Sequence, residues 1–274
     1  MPRSAGPAVR EPAVAGLFYP ADPAVLRRTV SDLLDTVTVP DGDRLATAYV
    51  VPHAGYRYSG PTAAHVYARL RAHAGEITRV VVLGPAHRVP LVGAAVPATD
   101  RWRTPLGEMA IDTAEADRLV RLGLATATDA PHEPEHSLEV QLPFLQLVDF
   151  SAPVPLVLPI CVGRSPAADV AALVEAVTGP GVVVLCSTDL SHYLTEPEAH
   201  ARDAETLRSV VELTPERLEI RDACGFFALR GVLTWARTAQ CAVTQYHHCT
   251  SADTGGTPDR VVGYCAAAVH CHAA

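Results

Sequence analysis

Aromatic residues are scarce in this chain, at 5% of 274 positions, and charged residues are few, at 19%. No long basic run accompanies the formal net charge of -8, which argues against nucleic acid as a partner. No stretch approaches the roughly 18–20 uninterrupted apolar residues that a membrane-spanning helix needs, so no membrane segment is expected. Met1 to Arg10 lacks the apolar centre of a secretory signal, and the expected compartment is the cytoplasm. The seven cysteines (161, 186, 224, 241, 249, 265, 271) include no CxxC pair. That scatter predicts reduced thiols, mostly small buried hydrophobes, and neither a disulfide framework nor a structural zinc knuckle.

What is present is core material. With 49% hydrophobic residues, there is ample material for a buried core and global disorder is not expected. No repeat block, low-complexity segment or linker divides the chain. One domain over 11–274, preceded by a loose arm over 1–10, is the simplest organisation.

The stretch Thr47-Ala48-Tyr49-Val50-Val51-Pro52-His53-Ala54-Gly55-Tyr56 organises the rest. A β-branched run ends in Pro52 and delivers His53 to the loop at a strand's carboxyl end, where ligands collect in open α/β sheets. The pattern recurs in Arg79 to His87, and again in Gly181 to His192, where Asp189 stands three residues before His192. A single strand-end histidine is ordinarily a polar loop residue. Three such units point to imidazoles gathered at one edge of one sheet, and imidazole is the commonest protein ligand for first-row metals.

Around these strands, apolar spacing and cap residues predict helices over Asp22 to Val37, Pro61 to His73, Asp112 to Leu122, Glu135 to Leu147, Ala167 to Val177, Thr195 to Leu213 and Phe226 to Ala239, with a further one opening over Pro215 to Ile220. Strands are expected at Leu91 to Pro97, Val154 to Ile160, Ala242 to Cys249 and Arg260 to His270, and a loop at Thr99 to Gly107. The strand-helix-strand order around His53 predicts a parallel pair with a crossover helix. Glu11 to Pro23, with Phe18 and Tyr19, reads as a packing segment that pins the amino terminus.

Within the predicted helix at Glu135, Glu139 follows His136 by three, which would put both side chains on one face. The alternative is a capping role for Glu135 or Ser137. Asp189 can orient an imidazole or hold its proton, or satisfy loop amides instead. Cys224 precedes Gly225 in a break between helical stretches, and composition alone makes it one more small hydrophobe.

Taken together, Ala15-Gly16-Leu17-Phe18-Tyr19, Pro52-His53-Ala54-Gly55-Tyr56, Gly84-Pro85-Ala86-His87, Glu135-His136-Ser137-Leu138-Glu139, Ser187 to His192 and Cys224-Gly225 resemble the Memo-like family, relatives of the class III extradiol ring-cleaving dioxygenases. The resemblance spans almost the whole chain. It implies a single α/β domain with a central, mostly parallel or mixed sheet flanked by helices. It further implies a metal, iron or copper ahead of zinc, on His53, His87 and Cys224. His192 matches the acid–base histidine of the dioxygenase relatives, and Asp189, His136 and Glu139 match pocket residues. Two departures stand out. Arg88 occupies a place where some relatives carry a second histidine. Cysteine stands where the dioxygenases complete their triad with a carboxylate, and a thiolate is softer and more oxidisable.

These features imply a metal-dependent oxidoreductase, dioxygenase-like, acting on an organic substrate. The alternative is a non-catalytic metal- or peptide-binding protein on the same fold, and zinc-assisted hydrolysis ranks last. The resemblance also implies association with a radical SAM protein and an AMMECR-type protein.

Overall fold

The computed structural model describes residues 9–150 and 154–271. In chain order the strands and helices are β1 (Val9–Arg10), α1 (Pro23–Asp35), β2 (Ala48–Val51), α2 (Tyr56–Ala72), β3 (Arg79–Pro85), β4 (Ala94–Val96), β5 (Arg101–Thr104), β6 (Gly107–Ala110), α3 (Thr113–Arg121), β7 (Thr126–Ala127), α4 (Leu142–Leu145), β8 (Leu156–Val162), α5 (Ala167–Val177), β9 (Val182–Ser187), β10 (His192–Leu194), α6 (Glu196–Val211), α7 (Phe226–Thr238), β11 (Ala242–Thr250) and β12 (Val261–His270).

The main sheet is mixed, in the order β10-β12-β2-β9-β3-β8-β4-β7, with β11 also paired to β12. Its centre, β2-β9-β3-β8, is parallel, while β12 and β4 join antiparallel. Both faces are covered, which is why the central strands read as unbroken apolar runs with no polar alternation. Ala48, Val50, Val81 and Leu83 face the layer of α3, α5, α6 and α7. Tyr49, Val51, Val80 and Val82 face α1, α2 and α4. The expected single α/β domain with a mixed sheet between helices is what forms. No described helix is long and apolar enough to cross a membrane.

The parallel pair around α2 is present but not adjacent, because β9 inserts between β2 and β3. This insertion matters for the site. Val51 pairs with Ser187 and Leu83 with Cys186, so the carboxyl ends of three strands finish level with one another.

Several expectations need correction. Helix α2 begins at Tyr56, five residues before Pro61, because its first turn is set from Gly55 and Pro61 is absorbed inside it. Thr99 to Gly107 is not a loop: β5 and β6 form a hairpin within a three-stranded sheet, β1-β5-β6, that buries Trp102 completely. Pro215 to Ile220 makes only a 3₁₀ turn, Pro215–Arg217. Glu135 to Leu147 is helical only from Glu139, as a 3₁₀ turn running into α4. Upstream of it, Glu135 accepts from the amides of His136 and Ser137, and Ser137 Oγ donates to the Pro85 carbonyl at 2.9 Å. Side chains there take the backbone groups that a helix would have used.

The arm expected over 1–10 lies outside the described residues as far as position 8. Val9 and Arg10 are not loose: they form β1, parallel to β5, and Arg10 is 5% exposed. The thiols are not all reduced either. Cys241 and Cys271 form a disulfide, and Cys161, Cys186, Cys224, Cys249 and Cys265 are free. The two bonded cysteines flank the register pair Ala242↔His270, so antiparallel pairing of β11 with β12 brings them face to face. Scatter in sequence could not reveal a juxtaposition made by sheet register.

Candidate metal centre

His53 follows β2, His87 follows β3, and Thr188 and Asp189 follow β9, whose last residue is Ser187. Because those strand ends are level, their loops converge. The imidazole rings of His53 and His87 lie 5.3 Å apart between centroids, edge to face, and the ring of His136 stacks on His87 at 4.7 Å. Cys224, from the turn before α7, closes the group with its Sγ 3.1 Å from His53 Nε2. One donor atom from each of His53, His87 and Cys224 lies within 4.8 Å of the other two. The same holds for His87, Glu135 and His136, and for Asp189, His192 and Cys224.

Cys224 reaches the strand tips because Gly225 has no side chain. A Cβ there would meet the Thr188 side chain at 2.7 Å. The Cys224 and Gly225 amides instead bond Asp189 O at 3.2 Å and Thr188 Oγ1 at 2.9 Å. The Asp189 amide in turn donates to Cys224 Sγ at 3.3 Å. Burial pushes the thiol's pKa up, and the nearby Asp189 carboxylate adds to the rise. A cation at this sulfur would reverse that balance, since a coordinating thiol is deprotonated.

The two histidines are held differently. His87 is gripped by Glu135, which accepts from its backbone amide and, at 2.9 Å, from Nδ1. Burial would raise the Glu135 pKa, but the His87 hydrogen bond and charge, with the Ser137 and His87 amides, overrule it and hold it at about 2. The carboxylate is therefore ionised and His87 Nδ1 is the nitrogen that donates to it, which leaves Nε2 as the nitrogen available to a ligand. His53 is fully buried, and burial, with neighbouring His87, His136 and His192, lowers its pKa far below the usual value. It stays neutral, the form in which imidazole binds metals. Its Nδ1 lies 2.9 Å from Ser187 Oγ.

His136 is held at a pKa of about 4 by burial, with His87 and Arg88 adding to the fall and Glu135 opposing it. Its ring also packs on Phe18 at 4.6 Å, so the aromatic segment near the amino terminus forms part of the wall and does more than pin the terminus.

Asp189 is buried, and burial lifts its pKa to about 7 against the opposing amide of His53. Its carboxylate accepts that amide at 2.7 Å. The reading in which Asp189 orients His192 needs correction. His192 Nδ1 bonds Leu190 O at 2.7 Å, so a carbonyl fixes its tautomer. Asp189 braces the His53 loop, while its carboxylate stays near His192 and Cys224.

Glu139 is not a pocket residue. Its carboxylate is fully buried and directed to the amino-terminal segment: it accepts from Arg10 Nη1 at 2.7 Å, from the Ala13 and Val14 amides, and from Tyr19 Oη. Without a helix at Glu135 to Leu138, the spacing of three does not put it on one face with His136. Sequence reasoning also missed residues. Glu135 was legible only as a cap, although it stands beside His136. Gln141 and Tyr67 carry no sequence signal, being ordinary members of a turn and a helix, and Ser187 shows only as the first residue of the Ser187 to His192 stretch, with nothing there to tie its hydroxyl to His53. A separate cavity of about 1090 Å³, lined by Val92, Asp117, Val120 and Leu173, includes none of the site residues.

The model of the Memo-like protein family matches residues 10–268. A MEMO1 family protein of Methanopyrus kandleri is 35% identical over 94% of this chain and 97% of its own length. Another, from Sulfolobus acidocaldarius, is 36% identical over 93% and 97%. A third, from Archaeoglobus fulgidus, is 34% identical over the same shares, 93% and 97%. Two strand-tip imidazoles, a distant thiol and end-to-end likeness lead to one conclusion: the chain belongs to the Memo-like family.

Proposed function

We propose that this protein is a metal-dependent oxidoreductase of dioxygenase-like type, acting on an organic substrate, with iron or copper held by His53, His87 and Cys224. The observation that carries the reading is the mutual approach of three donor atoms within 4.8 Å, drawn from three distant parts of the chain. The donor chemistry fits such an ion. Burial keeps the His53 ring neutral, and in both histidines Nδ1 is engaged by a protein partner, which leaves Nε2 for an ion, the arrangement typical of metal-ligating histidine. Two imidazoles and a thiolate suit copper or iron better than a hard, oxygen-preferring cation.

The bound metal would supply a redox-active Lewis-acidic centre with positions open to substrate. The protein's own groups supply the rest. Glu135 makes His87 a stronger donor and fixes its plane. His192, with Nδ1 committed to a carbonyl, has its other nitrogen free to take or give a proton. Asp189, near neutrality at about 7, is a second group that can exchange a proton beside it. Phe18 and the stacked His136 ring shield one side from water. As the family resemblance implies, we place the protein beside a radical SAM protein and an AMMECR-type protein; co-purification from cells tests that association.

A second reading, metal or peptide binding without turnover, is favoured by Cys224 itself, a sulfur where the dioxygenases use a carboxylate. Anaerobic purification, metal analysis and oxygen uptake with a panel of catechols and phenols separate the two. Stoichiometric iron or copper with uptake on one substrate supports the first reading. Metal without uptake supports the second, and absence of both overturns the metal centre.

A further inference from the structure

Behind His53 lies a buried chain of hydrogen bonds whose direction is fixed at both ends by groups that can only accept. Tyr67, Gln141, Ser137, Ser187 and His53 are all at most 1% exposed. Gln141 Nε2 lies 3.0 Å from the carbonyl of Pro52, so that end of the amide must be the NH₂. Its oxygen accordingly accepts from Tyr67 Oη. The second amide hydrogen goes to Ser187 Oγ at 2.8 Å. Ser187 Oγ is itself 2.7 Å from the Ser137 carbonyl, a contact that consumes the hydroxyl's only proton.

With its proton spent and one lone pair taken by Gln141, Ser187 Oγ can only accept from His53 Nδ1, 2.9 Å away. Nδ1 must then carry the ring proton. The bare nitrogen is Nε2, the atom that faces Cys224 Sγ at 3.1 Å. We infer that Ser187 is a positioning residue that locks His53 in its Nδ1–H tautomer, and that Gln141 and Tyr67 hold Ser187 in the accepting orientation, so that the His53 lone pair is aimed into the site before any ligand arrives. His53 is thereby backed by a neutral hydroxyl and His87 by the Glu135 carboxylate. The two imidazoles are unequal donors by construction.

The lock itself is independent of any metal. Its consequence for affinity rests on the metal reading above, and two measurements keep these apart. In metal-free protein, two-bond ¹⁵N–¹H correlation of the histidine rings reports the tautomer, with His53 assigned by loss of its signals in His53→Gln. The expected pattern is Nδ1–H. Ser187→Ala is expected to give a mixture of tautomers and to weaken Cu(I) and Fe(II), titrated anaerobically against a chelator, by about 10–100-fold. Ser187→Thr, which keeps the hydroxyl, is expected to restore both readouts. Tyr67→Phe, which leaves Ser187 in place, is expected to produce a smaller shift of the same sign.

An Nε2–H tautomer in the parent protein would overturn the inference. So would a Ser187→Ala protein with unchanged ring correlations. A parent protein that shows the expected tautomer, moved by Ser187→Ala, yet retains neither metal would uphold the lock and remove the metal reading.

Discussion

His53 Nε2 and Cys224 Sγ stand 3.1 Å apart although 171 residues separate them in the chain. Nothing local brings them together. The parallel register of β2 with β9 sets one side, and the tight approach of Gly225 to Thr188 sets the other.

Replacing Cys224 with serine removes the soft ligand and keeps the volume. Bound iron or copper, measured by elemental analysis after anaerobic purification, is expected to fall by more than the ~10–100-fold typical of losing an outer partner. Full occupancy in Cys224→Ser would refute the ligand assignment.

Glu135→Gln tests the carboxylate behind His87. Metal affinity is expected to drop about 10–100-fold. The pH dependence follows from the sign of the shift. The folded-state pKa, at about 2, lies below the ordinary 4.5, so its stabilisation is fully present above 4.5 and is lost as pH falls toward 2. Urea unfolding of the metal-free protein between those pH values should show a loss of order 3 kcal/mol that Glu135→Gln lacks.

Glu139→Ala separates scaffold from pocket. It leaves Arg10 buried without its partner, and such losses cost about 3–5 kcal/mol. Denaturant midpoints should fall accordingly while metal content per folded molecule is unchanged. Loss of metal at undiminished stability would return Glu139 to the pocket.

Alkylation of the unfolded, unreduced protein should modify five cysteines, leaving Cys241 and Cys271 protected until a reductant is added. Their bond spans 30 residues, and breaking it should cost about 2–4 kcal/mol. Modification of all seven without reductant would contradict the pairing.

His192→Ala should leave metal in place and abolish any oxygen uptake, because its ring is held by the Leu190 carbonyl and is not among the proposed ligands. Parallel loss of metal would assign it to the ligand set instead.

The central strands were legible because burial on both faces writes itself as runs such as Val80-Val81-Val82, and a histidine after each run is visible without a structure. The level ends of β2, β9 and β3 were not, since register is decided by partners far away in sequence. Helix α5 was read to the residue from its apolar spacing. The stretch after Pro134 was misread because Glu135 and Ser137 satisfy the backbone with side chains, an exchange that periodicity cannot report. Glu139 illustrates the same failure: its motif neighbour His136 faces the cluster while it serves the amino terminus. Ser187 and Gln141 act only through geometry, and geometry has no spelling.

Arg10 supports the centre without reaching it. Its guanidinium donates to Glu139 and to the carbonyls of His132 and Glu135, and Glu135 is the residue whose carboxylate steadies His87. A deletion that reaches this arginine would therefore disarm the centre from behind, without touching any group that faces a ligand.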